Sequence, residues 1–415
     1  MNFSLFDKFI RTGELTIVDH QGQRHTFGQG QPKATWHLRT RSALPRILRD
    51  PALNLGETYM AGEWDVSDGS LHDLLTILRS NLELILAGRS FNKPLQALYK
   101  PWQALLSSWN SLTSSRRNVS RHYDLDEPLF RACLDREMHY SCAYFRDPEM
   151  SLEAAQQAKC SYIAKKLSLR PGDRVLDIGC GWGSLAMYLV EHQDVHVTGL
   201  TLSGEQLRVA QQRLEARGLA DRVELRLQDY REHYGQYDRI VSVGMFEHVG
   251  KHNIQTFCDK VFESLPVDGI ALLHTIGSRT PPSPLNSWFR RYIFPGGYIP
   301  SMSDIAPAIE HAGFTNADVE VLRFHYALTL KEWNRRFQKV RADFAATKGE
   351  RFCRKWEFYL VASQTAFEIG IVAVQHWLLA KDNRTVPITR DYLYAEKRFA
   401  RPLSAPVHEV LQRAK

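Results

Sequence analysis

The chain has 415 residues, 44% hydrophobic and 24% charged, with a net charge of +7. That length allows two domains with separate cores, and the positive balance suits an anionic partner, either nucleic acid or an anionic membrane surface. The six cysteines (Cys133, Cys142, Cys160, Cys180, Cys258, Cys353) are scattered without a C-x-x-C pair, which argues against a zinc or other metal site and against a disulfide scaffold, and for a reducing cytoplasm. Residues 1–11 lack the pattern of a secretory signal, and the late apolar stretch 367–380 is interrupted by Glu368, Gln375 and His376, so any membrane contact is expected to be peripheral.

Residues 1–90 read as a small α+β unit. Leu15–Asp19 and Arg24–Phe27 are predicted strands across a His20-Gln21-Gly22 turn, with Trp36–Arg39 a possible third. Ser42–Arg49 and Leu71–Leu78 have helical spacing, and Gly56–Asp65 between them reads as a turn plus a strand. Arg39, Arg41, Arg46 and Arg49 form a candidate basic face: solvated surface by default, membrane contact as the sharper alternative. Residues 91–121 read as a helical linker with an aliphatic and aromatic stripe, packed between domains or lying at an interface.

From 122 onward strands alternate with helices. Ser151–Leu167 and Gln206–Arg217 are predicted helices; Arg174–Ile178, Val195–Leu200, Val223–Gln228, Tyr237–Val243 and Gly269–Thr275 are predicted strands. This pattern predicts an α/β, Rossmann-like, doubly wound parallel sheet over 122–415, with ligands at the carboxyl ends of its strands.

Val175–Ser184 organises this half: an apolar strand ends in Asp177, and Gly179, Gly181 and Gly183 precede a helix. Alternate glycines let the backbone approach a nucleotide closely. The spacing differs from G-x-G-x-x-G and matches the loop that S-adenosylmethionine (SAM) methyltransferases use. Thr198–Ser203 ends the second strand without the usual ribose-binding acid, leaving Thr201 and Gln206 as polar candidates beside Leu202. Gln206 also lies three residues after Ser203, the spacing of a capping box. Asp229 and Tyr230 follow the third strand, where a carboxylate and a ring could meet an adenine, or Asp229 simply caps a helix. Glu247 follows the fourth strand and His274 ends the fifth; a carboxylate and an imidazole on adjacent strand ends point to proton handling. Cys142, in His139–Tyr144, reads on its own as an inert buried thiol. Residues 279–303 read as a long functional loop mixing aromatics, arginines and prolines. No Asn/Asp-Pro-Pro-aromatic motif follows the fourth strand, which disfavours a nucleic-acid methyltransferase.

On His139–Tyr144 (HYSCAY), Val175–Gly183, Thr198–Ser203, Gly244–Gly250 (GMFEHVG), His274–Ser278 (HTIGS) and Tyr292–Pro300 (YIFPGGYIP), the chain resembles the cyclopropane-fatty-acyl-phospholipid synthases. The resemblance implies a SAM methyltransferase half with a small N-terminal lipid-associated domain that supports a homodimer. It implies a peripheral enzyme on the inner face of the cytoplasmic membrane that acts on unsaturated phospholipids of the bilayer, without a nucleic-acid partner. It further implies SAM contacts from Tyr140, Ser141, Asp177, Gly179, Gly181, Gly183, Thr201, Leu202, Gln206, Asp229 and Tyr230. A bicarbonate ion beside the methyl group would be held by Cys142, Glu247, His274, the Ile276 backbone and Tyr326. Two positions depart from relatives: Ser363 stands where many carry a cysteine, and Ala327-Leu328 follow Tyr326 where some carry polar residues. A related C-methyltransferase giving a methyl-branched or methylene chain, and a lipid-binding protein without catalysis, are the alternative readings.

Overall fold

The computed structural model describes residues 3–88 and 127–394; the expected linker at 91–121 lies outside the described residues. Near the N-terminus, β1 (Gly13–Val18), β2 (Arg24–Gln29), β3 (Lys33–Leu38) and β4 (Trp64–Asp68) form a sheet in the order β2-β1-β3-β4. The β1–β2 turn is held by Asp19, whose Oδ1 accepts from the N–H groups of Gln21 and Gln23. Alternation along β1 buries Leu15 and Ile17 on one face, beside the Trp36–Trp64 edge contact. The segment read as turn plus strand begins differently: Pro51–Met60 is a helix, and the strand starts only at Trp64. Asp50 accepts from Leu53 N–H and Pro51 takes the first helical position, so a start signal was present.

The larger sheet has the order β10-β11-β9-β8-β5-β6-β7. Its strands are β5 (Arg174–Ile178), β6 (His196–Thr201), β7 (Val223–Leu227), β8 (Arg239–Val243), β9 (Ile270–Ser278), β10 (Thr315–Leu322) and β11 (Val372–Ala380). The strands from β5 to β9 pair in parallel, as predicted. The sheet as a whole is mixed rather than parallel, because β11 is antiparallel to both β9 and β10. From β5 the chain winds outward to β6 and β7, then returns to place β8 on the other side of β5. The switch point at the end of β5 is where such sheets open a crevice. Residues 279–303 are not a plain loop: Ser287–Tyr292 is helical, with Asn286 accepting from Trp288 N–H.

The N-terminal unit packs on the helix Glu350–Glu368, and one buried cluster runs from Phe3 to Val374 across both. Arg354 donates to Asp65 at 2.6 Å and to the Tyr59 carbonyl at 3.1 Å; Tyr59 donates to Glu357 at 3.0 Å; His72 meets Glu368 at 2.6 Å. Two of the four arginines of the candidate basic face are paired, Arg39 with Asp65 and Arg46 with Glu63. Among the described residues no helix is long and apolar enough to cross a membrane, and no His/Cys/Asp/Glu group fits a metal ion.

Candidate active site

Leaving β5, the chain turns sharply, and the N–H groups of Gly179 and Cys180 both donate to the Leu200 carbonyl at 2.9 Å. Gly179 has φ 89°, and a Cβ there would stand 2.6 Å from the Met245 Cβ, so no side chain fits. The turn delivers the chain into the helix Ser184–His192, whose N-cap is Gly183. Beside it opens a cleft with about 1120 Å³ of empty space, including its open mouth. All the predicted cofactor residues except Gly183 line it.

Several of these side chains hold one another. Thr201 donates to Gln206 Oε1 at 3.0 Å, and Ser203 caps the helix Gly204–Arg217 by accepting from Gln206 N–H at 3.1 Å. Asp229 caps the turn Tyr230–Glu232 and binds the Arg231 guanidinium through both oxygens, so its carboxylate is committed to structure. Asp177 Oδ2 and the Tyr230 hydroxyl are buried without a hydrogen-bond partner among the described residues, and both residues line the cleft. Burial pushes the Asp177 carboxyl up to about 7, with the Lys159 charge opposing it.

Lys159 was not anticipated. It is 2% exposed, lines the cleft, and donates to Ser141 Oγ at 2.9 Å. Its charge is felt at Asp177, Cys142 and His274, so it links the cleft to a second group of residues. The sequence held a signal: Lys159 falls midway between Ala155 and Ile163, four residues from each, on the buried face of the helix Leu152–Lys166. His139, also missed as a site residue, lines the cleft and is fixed by Asp135 at 2.9 Å and by the Cys160 thiol at 3.2 Å.

None of the five predicted catalytic residues lines the cleft itself. Glu247 accepts from Ile276 N–H at 2.6 Å, while its Oε2 is sealed without a partner. Burial raises this carboxyl to about 7, against the pull of the Ile276 N–H. His274 is buried on β9, and burial with the nearby Lys159 and Lys166 lowers its pKa to about 3, so it is neutral. The Cys142 thiol is buried, donates to the Ala143 carbonyl at 3.3 Å, and has its pKa raised by desolvation. Tyr326 packs on Phe367 at 4.8 Å and edge-on to Trp333, on which Tyr140 stacks at 5.2 Å. Cys142, Ile276, Tyr140 and Tyr326 thus share one apolar cluster.

Residues 110–377 match the family described as mycolic acid cyclopropane synthetase. The chain belongs to this family. A cyclopropane-fatty-acyl-phospholipid synthase of Escherichia coli K12 is 41% identical over 338 residues, covering 81% of this chain and 85% of that one. A probable fatty acid methyltransferase of Pseudomonas putida is 39% identical over 287 residues, 66% of this chain and 73% of that one. The mycolic acid cyclopropane synthase CmaA1, solved with SAH and CTAB, superposes with a TM-score of 0.60 at 36% identity, covering 64% of this chain and 97% of that one. The fold of this family member is that of the SAM-dependent methyltransferases, and the chain is a methyltransferase. Residues 7–89 match a separate domain of unknown function.

Proposed function

We propose that the protein transfers a methylene unit from SAM to the cis double bond of unsaturated acyl chains in membrane phospholipids, leaving a cyclopropane ring. The observation that carries this reading is the 41% identity to a cyclopropane-fatty-acyl-phospholipid synthase along 81% of the chain. The cleft fits SAM: Gly179 leaves no room for a side chain where backbone must approach the nucleoside, and the orphaned Asp177 Oδ2 and Tyr230 hydroxyl await partners. Asp177, Gly179, Gly181, Thr201, Leu202, Gln206, Tyr140 and Ser141 would hold it, with Gly183 capping the helix behind them and the Tyr230 ring beside the adenine; Asp229 serves that ring by fixing its turn.

SAM, when bound, supplies an electrophilic methyl group on a sulfonium. The alkene is a weak nucleophile, so the protein's contribution is alignment and exclusion of water. Phe130, Trp182 and Trp333, buried near Tyr140, supply the dry wall. The aromatic faces of Tyr140, Tyr326 and Trp333 favour positive charge developing on the acyl chain.

The added methyl must lose a proton before the ring closes, and bicarbonate, held as the resemblance implies, would be the base. The side chains fit a small oxyanion. Burial favours the protonated Glu247 carboxyl, whose Oε2 can then donate, and neutral His274 offers an N–H. Cys142, the Ile276 backbone and Tyr326 would complete the set.

A second reading, a methyl-branched or methylene product, is favoured by the 39% identity to the probable fatty acid methyltransferase. Mass spectrometry of phospholipid acyl chains after incubation with SAM and unsaturated vesicles tests both. A one-methylene gain that survives mild hydrogenation supports the ring. A one-carbon gain with a reducible or already reduced double bond supports the second reading. An unchanged acyl mass despite SAM binding overturns the phospholipid substrate.

A further inference from the structure

His274 Nδ1 lies 2.8 Å from His376 Nε2, a contact that the chemistry above does not use. The two residues face each other in register on antiparallel β9 and β11, so the backbone itself fixes the pairing. They are 2% and 1% exposed. Burial keeps both rings neutral, reinforced by Lys159 and Lys166. Between two neutral imidazoles at this distance, one nitrogen donates and the other accepts.

His376 Nδ1 decides which. It is buried and has no hydrogen-bond partner among the described residues. The one carboxylate in register with it on β10, Glu320, is taken by Lys166 at 2.6 Å and by the Tyr162 hydroxyl. If His274 were the donor, neutral His376 would carry its proton on Nδ1, an N–H sealed in protein with nothing to accept it. If His376 donates, Nδ1 is a bare lone pair. An orphaned acceptor is better tolerated than an orphaned donor, and the positive field of Lys159 and Lys166 favours a lone pair further.

We propose that His376 is a positioning residue: it donates from Nε2 to His274 Nδ1 and so keeps the His274 proton on Nε2, making His274 a standing hydrogen-bond donor. This rests on the proposed role of His274 toward an oxyanion. The same hydrogen bond fixes the plane of the His274 ring, as an outer partner does for a metal-bound histidine.

The test is nitrogen NMR of the full chain labelled with 15N-histidine, read beside steady-state kinetics. Wild type is expected to show His274 protonated on Nε2 and bare at Nδ1 near neutral pH. His376→Leu removes the donor and mixes the tautomers, lowering kcat about tenfold with an unchanged KM for SAM. His376→Gln, whose amide can still donate, recovers most of the activity and the tautomer. In a His274→Gln background, adding His376→Leu costs nothing more. A wild-type His274 protonated on Nδ1 overturns the proposal even if no variant folds well. So does a His376→Leu enzyme as active as wild type, or one that loses equally in both backgrounds. If His274→Gln alone keeps full activity, the oxyanion reading fails, while the NMR signal still reports the tautomer independently.

Discussion

Glu247 reaches across from the end of β8 to accept the Ile276 N–H of β9 at 2.6 Å, and this one bond leaves its other oxygen sealed and unpaired. A carboxyl in that position is easier to keep protonated than ionised. With its pKa raised from 4.5 to about 7, the folded state binds the proton more tightly than the unfolded chain. The contribution of Glu247 is therefore most favourable below about pH 4.5 and is lost as pH rises through about 7. Glu247→Gln removes that loss. Its stability relative to wild type should climb between those values and level off above them, by up to about 3 kcal/mol. Urea unfolding of both proteins across the range checks this, and the difference cancels the parallel titration of Asp177. The same substitution should abolish most turnover.

Gly179→Ala forces a Cβ into Met245 at a backbone angle of φ 89°. It should weaken S-adenosylhomocysteine binding at least about tenfold by calorimetry and destabilise the fold by roughly 1–3 kcal/mol. Affinity equal to wild type would remove the glycine turn from the cofactor site.

Arg354, on the helix Glu350–Glu368, ties the N-terminal unit to the larger domain through Asp65, the Tyr59 carbonyl and the face of the Tyr59 ring, 4.9 Å from the guanidinium carbon. Arg354→Ala should cost about 2–3 kcal/mol and open the N-terminal unit to protease before the catalytic sheet unfolds. Arg354→Lys should recover only part, because an ammonium cannot reproduce the fork.

His72 is held against Glu368 at 2.6 Å, and that hydrogen bond raises the histidine pKa while holding the carboxyl below its usual range. For His72 the stabilisation is full below about pH 6.5 and lost as pH rises through the raised value. Protection of residues 71–80 in hydrogen exchange should therefore increase from about pH 8 to 6. His72→Gln should flatten that response.

Much of the site was legible because its carriers are local. Asp177 and the alternate glycines announce a strand, a turn and a helix within ten residues; Glu247 follows the apolar strand β8, and His274, expected at a strand end, lies within β9. What the sequence hid depends on distant chain. Val372–Ala380 is apolar except at Gln375 and His376, so its period does not distinguish strand from helix, and its antiparallel seat between β9 and β10 has no local signal. Gln375 and His376 read as interruptions of an apolar run but are buried polar groups. Lys159 is easily passed over, because lysine on a helix suggests solvent; its spacing from Ala155 and Ile163 points to the buried face, and the packing of Ser141 over it bears that out. The helix Pro51–Met60 was missed because Gly56 reads as a breaker, whereas it makes room for Trp288, which a Cβ there would meet at 2.4 Å.

The seat of β11 also sets an order of events for the nascent chain. His274 and His376 are 102 residues apart, so β9 leaves the ribosome long before the strand that covers it. Until then the strand bearing His274 is an open edge, with backbone groups free to pair with another chain. The active site therefore cannot close during synthesis of its own central strands; it waits for the last strand of the sheet, and an enzyme truncated before residue 372 should be both inactive and prone to aggregate.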